Sequence, residues 1–356
     1  MKNILVVDDS ALMRRVLCDI IESDERFHVQ DRAVNGLEAL DLLGRKTYDA
    51  VVLDVNMPQM NGLELLKELQ KRKISAKVMM ASTDTKEGAK TTLDALDLGA
   101  LDFVHKPNNA MDCRTGEFKD KLLEILAVVA DSRTPVISKA FSVDDIKSTK
   151  KMVSLVSKHA ASVPGNKIVA LASSTGGPKA LQSVVPKLPR NLKAPVVIVQ
   201  HMPAGFTASL AERLDSLSEV KVKEAAEGDV LEAGTVYIAM GGKHLNIVTM
   251  PGKYTIHYSD EPAREGVKPC ANYMYESLTD SRFDQIVCVV MTGMGADGTK
   301  GIQNLRAKKK THVIVQEAST CAVYGMPKSV VQAGMANQTV PLEQIAQEII
   351  MNVGVK

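Results

Sequence analysis

The chain has no tryptophan, and aromatic residues make up only 4% of its 356 positions. Rings therefore cannot be the main filler of its cores, and the 17 methionines, Met57 and Met60 among them, supply soft, adaptable packing instead. An excess of either charge is also missing. Lysine and arginine number 44 against 42 aspartates and glutamates, which leaves no basic face of the kind nucleic-acid binders carry. The five cysteines include no C-x-x-C pair; this argues against a zinc site or a disulfide framework and fits a reducing compartment. No apolar run approaches the ~18 residues of a membrane span. The opening "MKNILVVDDS" stops its short apolar run at Asp8 and Asp9, whereas a signal peptide needs a longer apolar core and a small-residue cleavage site. A cytoplasmic protein with no nucleic-acid partner and no membrane insertion is expected.

What is present is alternation. At roughly 100–200 residues per domain the length predicts two domains. In residues 1–130 the apolar runs "NILVV", "VQDRAV", "DAVVLD", "AKVMMAS" and "LDFVH" alternate with amphipathic stretches such as Ser10 to Ile21 and Leu63 to Leu69. That pattern predicts a flavodoxin-like, five-stranded parallel α/β sheet. Residues 131–164 are rich in Ser, Lys and Thr without sustained period and are read as a linker. Alternation restarts over 165–353 with "KIVALAS", "APVVIVQHMP", "GTVYIAM", "YTIHYS", "DQIVCVVMTGMG" and "THVIVQ". Helical stretches run from Thr207 to Leu217 and from Gly298 to Ala307. Wholly apolar strands of this kind are buried on both faces, which predicts a second doubly wound, mostly parallel α/β domain.

In the first half, Asp8 and Asp9 follow the first predicted strand, Asp54 ends the third and Lys106 ends the fifth. Parallel strands bring such ends to one edge, where ligands bind. Gathered carboxylates repel and raise one another's pKa, and a divalent cation relieves this. The segments "VVDDS", "VVLDVNMPQMNGLELL", "MMAST" and "LDFVHKP" resemble the receiver domain of two-component response regulators. The resemblance implies Asp54 as phosphoacceptor from a histidine kinase. It also implies Mg²⁺ on Asp8, Asp9, Asp54 and the main-chain carbonyl of Asn56. Ser82 and Lys106 would contact the phosphoryl group, and Phe103 would be the aromatic switch. Thr83 offers a second hydroxyl beside Ser82.

In the second half, "IVALASSTGGPKAL" has the form of a strand entering a tight turn before a helix. It matches neither G-x-G-x-x-G nor G-x-x-x-x-G-K-[ST], and the G-x-S-x-G elbow lacks its first glycine at Ala172. On local sequence alone, serines that cap a helix explain it better than a nucleophile does. Two later strand ends matter: "VVIVQHMP" puts His201, and "VVMTGMGADG" puts Asp297, at the same edge of a parallel sheet. A serine needs a base, and the base an orienting acid. Spacing alone does not choose between Ser173 and Ser174.

The segments "ASSTGGPKAL", "QHMPAGFTASLAERL", "AEGDVLEAGTVYIAMGGKHL", "VMTGMGADGTKGI" and "QEASTCAVYGMPKSVVQAG" resemble the CheB-type chemotaxis protein-glutamate methylesterases. The resemblance implies Ser174 as nucleophile, His201 as general base, Asp297 as orienting acid, the Met294 amide as oxyanion donor and Thr175 as a polar neighbour. It further implies hydrolysis of glutamate methyl esters on the cytoplasmic helices of methylated chemoreceptors, glutamine deamidation, no cofactor in the catalytic domain, and a receiver that covers the groove until phosphorylated. Two departures stand out. Ala172 replaces a usual glycine, predicting a slightly different turn. In "VKPCANYMY", Lys268, Cys270 and Asn272 replace an Arg-Pro-Ser stretch and a following acid; this segment is expected to shape a groove without touching the triad. His244 and His257 are expected at the surface or groove, Cys288 in the core and Cys321 in packing. The competing readings are a phosphorylation-regulated receptor-binding module without hydrolysis and a receiver with a nucleotide-binding output. A DNA-binding output is disfavoured by its size and neutrality.

Overall fold

A computed structural model describes residues 1–83, 86–107, 113, 116–132 and 164–356, without the side chains of 83, 86, 87 and 117. Residues 133–163 of the expected linker lie outside the described residues. The chain divides into two compact units.

The first unit has strands β1 (Lys2–Val7), β2 (Phe27–Ala33), β3 (Ala50–Asp54), β4 (Val78–Thr83) and β5 (Asp102–Lys106), with helices α1 (Ala11–Glu22) to α5 (Gly116–Asp131) between and after them. The order is β2-β1-β3-β4-β5 and every pairing is parallel, as the alternation predicts. β3 is buried along its whole length because both faces are covered by helices. Local signals set the helix starts. The Ser10 side chain caps α1 through the Met13 amide, and Asn61 with Glu64 forms a capping box at α3 (Gly62–Arg72).

The second unit carries seven strands in one sheet: β6 (Lys167–Ser173), β7 (Val196–Gln200), β8 (Lys221–Glu224), β9 (Thr235–Ile238), β12 (Gln285–Val290), β13 (Thr311–Gln316) and β14 (Gln338–Val340). Their order is β14-β13-β12-β6-β7-β9-β8 and all pairings are parallel. β10 (His244–Met250) and β11 (Lys253–Ser259) form a separate antiparallel hairpin, so "YTIHYS" does not join the main sheet. The hairpin keeps Leu245, Ile247 and Ile256 on the core and turns Val248 and Met250 outward. A last helix, Leu342–Val353, precedes a bridge between Val355 and Leu192. Packing thus continues past the expected limit at 353. Among the described residues no helix is long and apolar enough to cross a membrane.

Candidate functional site

β12, β6 and β7 are consecutive neighbours in the second sheet. Their carboxyl ends lead to Asp297, Ser174 and His201. Three adjacent strands therefore deliver the three predicted groups to one edge, at the crevice where parallel sheets place ligands.

The two serines differ in environment. Ser173 is fully buried, and its hydroxyl donates to Gln200 Oε1 at 2.7 Å. Ser174 is half-buried, its amide donates to the Thr292 carbonyl at 3.0 Å, and its hydroxyl has no hydrogen-bond partner among the described residues. The turn passes through Gly176 at φ +74, where an added Cβ would meet the Ala322 Cβ at 2.6 Å. Only glycine fits there. Ala172, by contrast, lies inside β6 in register with Val290 and has no positive φ. Position 172 therefore belongs to the strand and not to the turn, and makes no demand for glycine.

His201 follows β7; its amide donates to the Ser173 carbonyl at 3.1 Å. Its Nε2 meets Asp297 Oδ2 at 2.7 Å with the carboxylate almost wholly buried. Asp297 gathers four further donors. The Ala271 amide reaches Oδ2 at 2.6 Å, while the Asn272 amide at 2.9 Å, the Gly298 amide at 2.8 Å and the Cys270 thiol at 3.0 Å reach Oδ1. Burial pushes the Asp297 carboxyl up, but His201, the Cys270 thiol and the Ala271 amide more than reverse this and hold it below the usual carboxylate range. Burial, then the Asp297 charge, push the Cys270 thiol far up, so it stays protonated and donates.

These contacts overturn one expectation. The stretch with Lys268, Cys270 and Asn272 does touch the site: it caps Asp297 with a thiol and two amides. Main-chain donors have no side-chain signature, which hid this role from sequence reading. His244 is likewise buried rather than at the surface. Its ring nitrogens meet the Cys270 amide and the Pro262 carbonyl. His257 is exposed and pairs with Glu227. Cys288 and Cys321 are buried as expected.

Met294 is half-buried in the turn after β12, and its amide has no acceptor among the described residues. Thr175 is buried, and its carbonyl accepts from Thr292 Oγ1 at 2.9 Å. Two residues not singled out from sequence brace these loops. The Gln200 amide donates to the carbonyls of Ser174 at 3.0 Å and His201 at 3.2 Å. Gln316 accepts from the Thr292 amide at 2.8 Å. Each is a polar strand-end residue that directly follows an apolar run, a signal that was available in "VVIVQ" and "THVIVQ".

In the first unit Asp8, Asp54 and Lys106 are buried and Asp9 is exposed. Lys106 Nζ lies 3.0 Å from Asp8 Oδ2 and closer still to Asp54 Oδ1. Burial pushes Asp54 up and Lys106 draws it back, with a net rise. Burial lowers Lys106, but Asp54 and Asp8 more than offset this and raise it. Asp8, Asp9 and Asp54 each bring one oxygen within 4.8 Å of the others. Clustered anionic oxygens are the donor set of a hard divalent cation, so the residues fit Mg²⁺. Asn56 sits exposed in the loop after β3, and Ser82 and Phe103 are buried on β4 and β5.

Residues 169–349 match the CheB methylesterase family model, and residues 4–115 match that of the response regulator receiver domain. The protein-glutamate methylesterase/protein-glutamine glutaminase of Pyrococcus abyssi is 42% identical over 350 residues, covering 98% of this chain and 93% of that one. The protein of the same name from Geobacillus kaustophilus is 40% identical over 351 residues, covering 99% and 98%. The crystal structure of the Thermotoga maritima CheB methylesterase catalytic domain aligns with TM-score 0.51 and 41% identity, over 52% of this chain and 98% of that one. With its matching N-terminal receiver domain, the chain belongs to the CheB methylesterase family.

Proposed function

We propose that this protein is a phosphorylation-activated protein-glutamate methylesterase. It hydrolyses glutamate methyl esters on chemoreceptor cytoplasmic helices to glutamate and methanol, and deamidates receptor glutamines to glutamate and ammonia. One observation carries the reading: His201 Nε2 lies 2.7 Å from a buried Asp297 that accepts four more donors, while Ser174, at the end of the strand next to β7, is half-buried with its hydroxyl uncommitted. The receptor-binding reading gives no reason to build such an acid.

Ser174 Oγ attacks the ester carbonyl as His201 takes its proton. Because Nε2 faces Asp297, Nδ1 is the nitrogen left to act as base. The Met294 amide meets the developing oxyanion. His201 then protonates the departing methoxide. Water, deprotonated by the same nitrogen, cleaves the acyl-enzyme, releases glutamate and restores Ser174. Thr175 shapes the turn beside the nucleophile, and this domain uses no cofactor.

Asp54 accepts phosphate from a histidine kinase. Asp8, Asp9, Asp54 and the Asn56 carbonyl hold Mg²⁺, which when bound neutralises charge on the transferring phosphoryl group. Lys106 and Ser82 contact the phosphoryl oxygens, and Phe103 answers the change. The domains are 1–130, a linker over 131–164, and a catalytic domain from 165; the protein works in the cytoplasm. Release of labelled methanol from methylated receptor membranes, with and without a small-molecule phosphodonor, tests the whole. Robust release by Ser174→Ala ends it.

A further inference from the structure

His244 begins β10 and has no exposed surface. Its ring nitrogens face backbone groups of opposite kinds. Nδ1 lies 3.2 Å from the Cys270 amide, which can only donate. Nε2 lies 3.1 Å from the Pro262 carbonyl, which can only accept. These partners admit one form, a neutral imidazole with its proton on Nε2. An imidazolium would set an Nδ1 proton against the Cys270 N–H.

We propose that His244, as a neutral Nε2–H imidazole, is a positioning residue for the hydrolysis: it clamps the segment Cys270–Asn272 against Asp297 and thereby sets the basicity of His201. The proposal rests on the roles given above to His201 and Asp297.

The chain of contacts is short. His244 holds the Cys270 amide, and the thiol of that same residue reaches Asp297 at 3.0 Å. The next two amides reach Asp297 at 2.6 and 2.9 Å, and Asp297 reaches His201 at 2.7 Å. Movement of the segment away from His244 therefore weakens three donors to the carboxylate together. A carboxylate relieved of donors is a stronger acceptor and holds the His201 imidazolium more tightly.

The surroundings of His244 favour the neutral ring. Burial lowers its pKa against the Pro262 carbonyl and Glu261, and Lys268 acts on the side of burial. The Tyr273 ring packs on it at 4.4 Å between centroids. On Tyr273 lies the Arg264 guanidinium, 5.4 Å away and paired with Glu276 at 2.7 and 3.0 Å.

Two substitutions separate the nitrogens. His244→Asn puts a carbonyl oxygen near the Nδ1 position and keeps an acceptor for Cys270. His244→Gln reaches the Nε2 position and leaves that amide without one. In methanol release by the full-length protein from methylated receptor membranes, His244→Asn is expected to keep kcat within about threefold and the acid limb of kcat/KM in place. His244→Gln should lower kcat about tenfold or more, leave KM unchanged and move the acid limb to higher pH. A ¹⁵N NMR titration of the labelled histidines reads the same effect without substrate. It should find wild-type His244 as the neutral Nε2–H form at neutral pH, and the His201 midpoint raised in His244→Gln but not in His244→Asn. Equal kcat and equal His201 midpoints in all three proteins overturn the proposal; so does a wild-type His244 that is charged or Nδ1-protonated at neutral pH. If His244→Gln fails to fold, the wild-type tautomer and the His201 midpoint in Cys270→Ala decide. If the wild type releases no methanol, the hydrolase reading falls while the NMR midpoints still judge the clamp.

Discussion

The Cys270 thiol donates to Asp297 Oδ1 across 3.0 Å, inside the core and out of reach of solvent. A hydroxyl in its place can make the same hydrogen bond; a methyl group cannot. Cys270→Ser is therefore expected to hold kcat within about threefold, and Cys270→Ala to lower it about tenfold, in proportion to a lost hydrogen bond to a charged group. The sign of the pH effect follows from the lost donor. Asp297 becomes the stronger acceptor, the His201 imidazolium is better held, and the acid limb of kcat/KM moves to higher pH in the alanine variant only. A pH–rate profile of both variants checks this.

That contact also marks where sequence reading stopped. The strands that lead to Ser174 and His201 were legible because Ile168–Ala172 of β6 and Val196–Val199 of β7 are unbroken apolar runs, as strands covered on both faces must be. Asp297 was legible as an acid at a third strand end. Its partners were not. Ala271 and Asn272 act through main-chain N–H groups that any residue but proline supplies, and Cys270 stood out only as a departure in a segment expected to shape a groove, not as a donor to the acid. β8 and β14, four and three residues long, are too short for their period to be counted, and of the β10–β11 hairpin only the second strand, "YTIHYS", stood out as an apolar run.

Asp297→Asn should lower kcat about 10³-fold or more, as loss of the orienting acid does in related constellations. It should also change how stability depends on pH. The Asp297 pKa is depressed on folding, so its contribution is complete above the unfolded value near pH 4 and is lost as pH falls through the folded one. Thermal unfolding of the wild type should weaken on acidification below about pH 4 more steeply than that of Asp297→Asn.

At Gly293 an added Cβ would stand 2.8 Å from the Ser174 Cβ and would run into the Met326 sulfur. Neither neighbour can yield freely, since Met326 is fully buried and Ser174 is tied to Thr292. Gly293→Ala is expected to cost about 1–3 kcal/mol by overpacking and to displace Ser174. Methanol release should fall more than denaturant unfolding alone explains, which parallel measurement of both will show.

Asp54→Asn separates phosphoacceptance from basal chemistry. Methanol release without phosphodonor should be unchanged and its stimulation by a small-molecule phosphodonor lost. Stability should change too. The Asp54 pKa is raised on folding, so the carboxylate destabilises the folded state at neutral pH, and the penalty fades as pH falls through the folded value. In chelator at neutral pH the variant should melt a few degrees higher, Lys106 retaining its pairing with Asp8 at 3.0 Å.

The adjoining serines give the sharpest contrast. Ser173 donates its hydroxyl to Gln200 Oε1 at 2.7 Å with no exposed surface. Its loss leaves a buried acceptor unpaired, at about 1–3 kcal/mol, and loosens the amide that braces the Ser174 and His201 carbonyls. Ser173→Ala should therefore unfold at lower denaturant yet still release methanol, at a rate reduced several-fold. Ser174→Ala removes a hydroxyl with no partner among the described residues. It should unfold as the wild type does and release no methanol at any pH. Reversal of the two phenotypes would transfer the nucleophile to Ser173 and require Gln200 to turn away from it, a rearrangement that crystals of either variant would reveal.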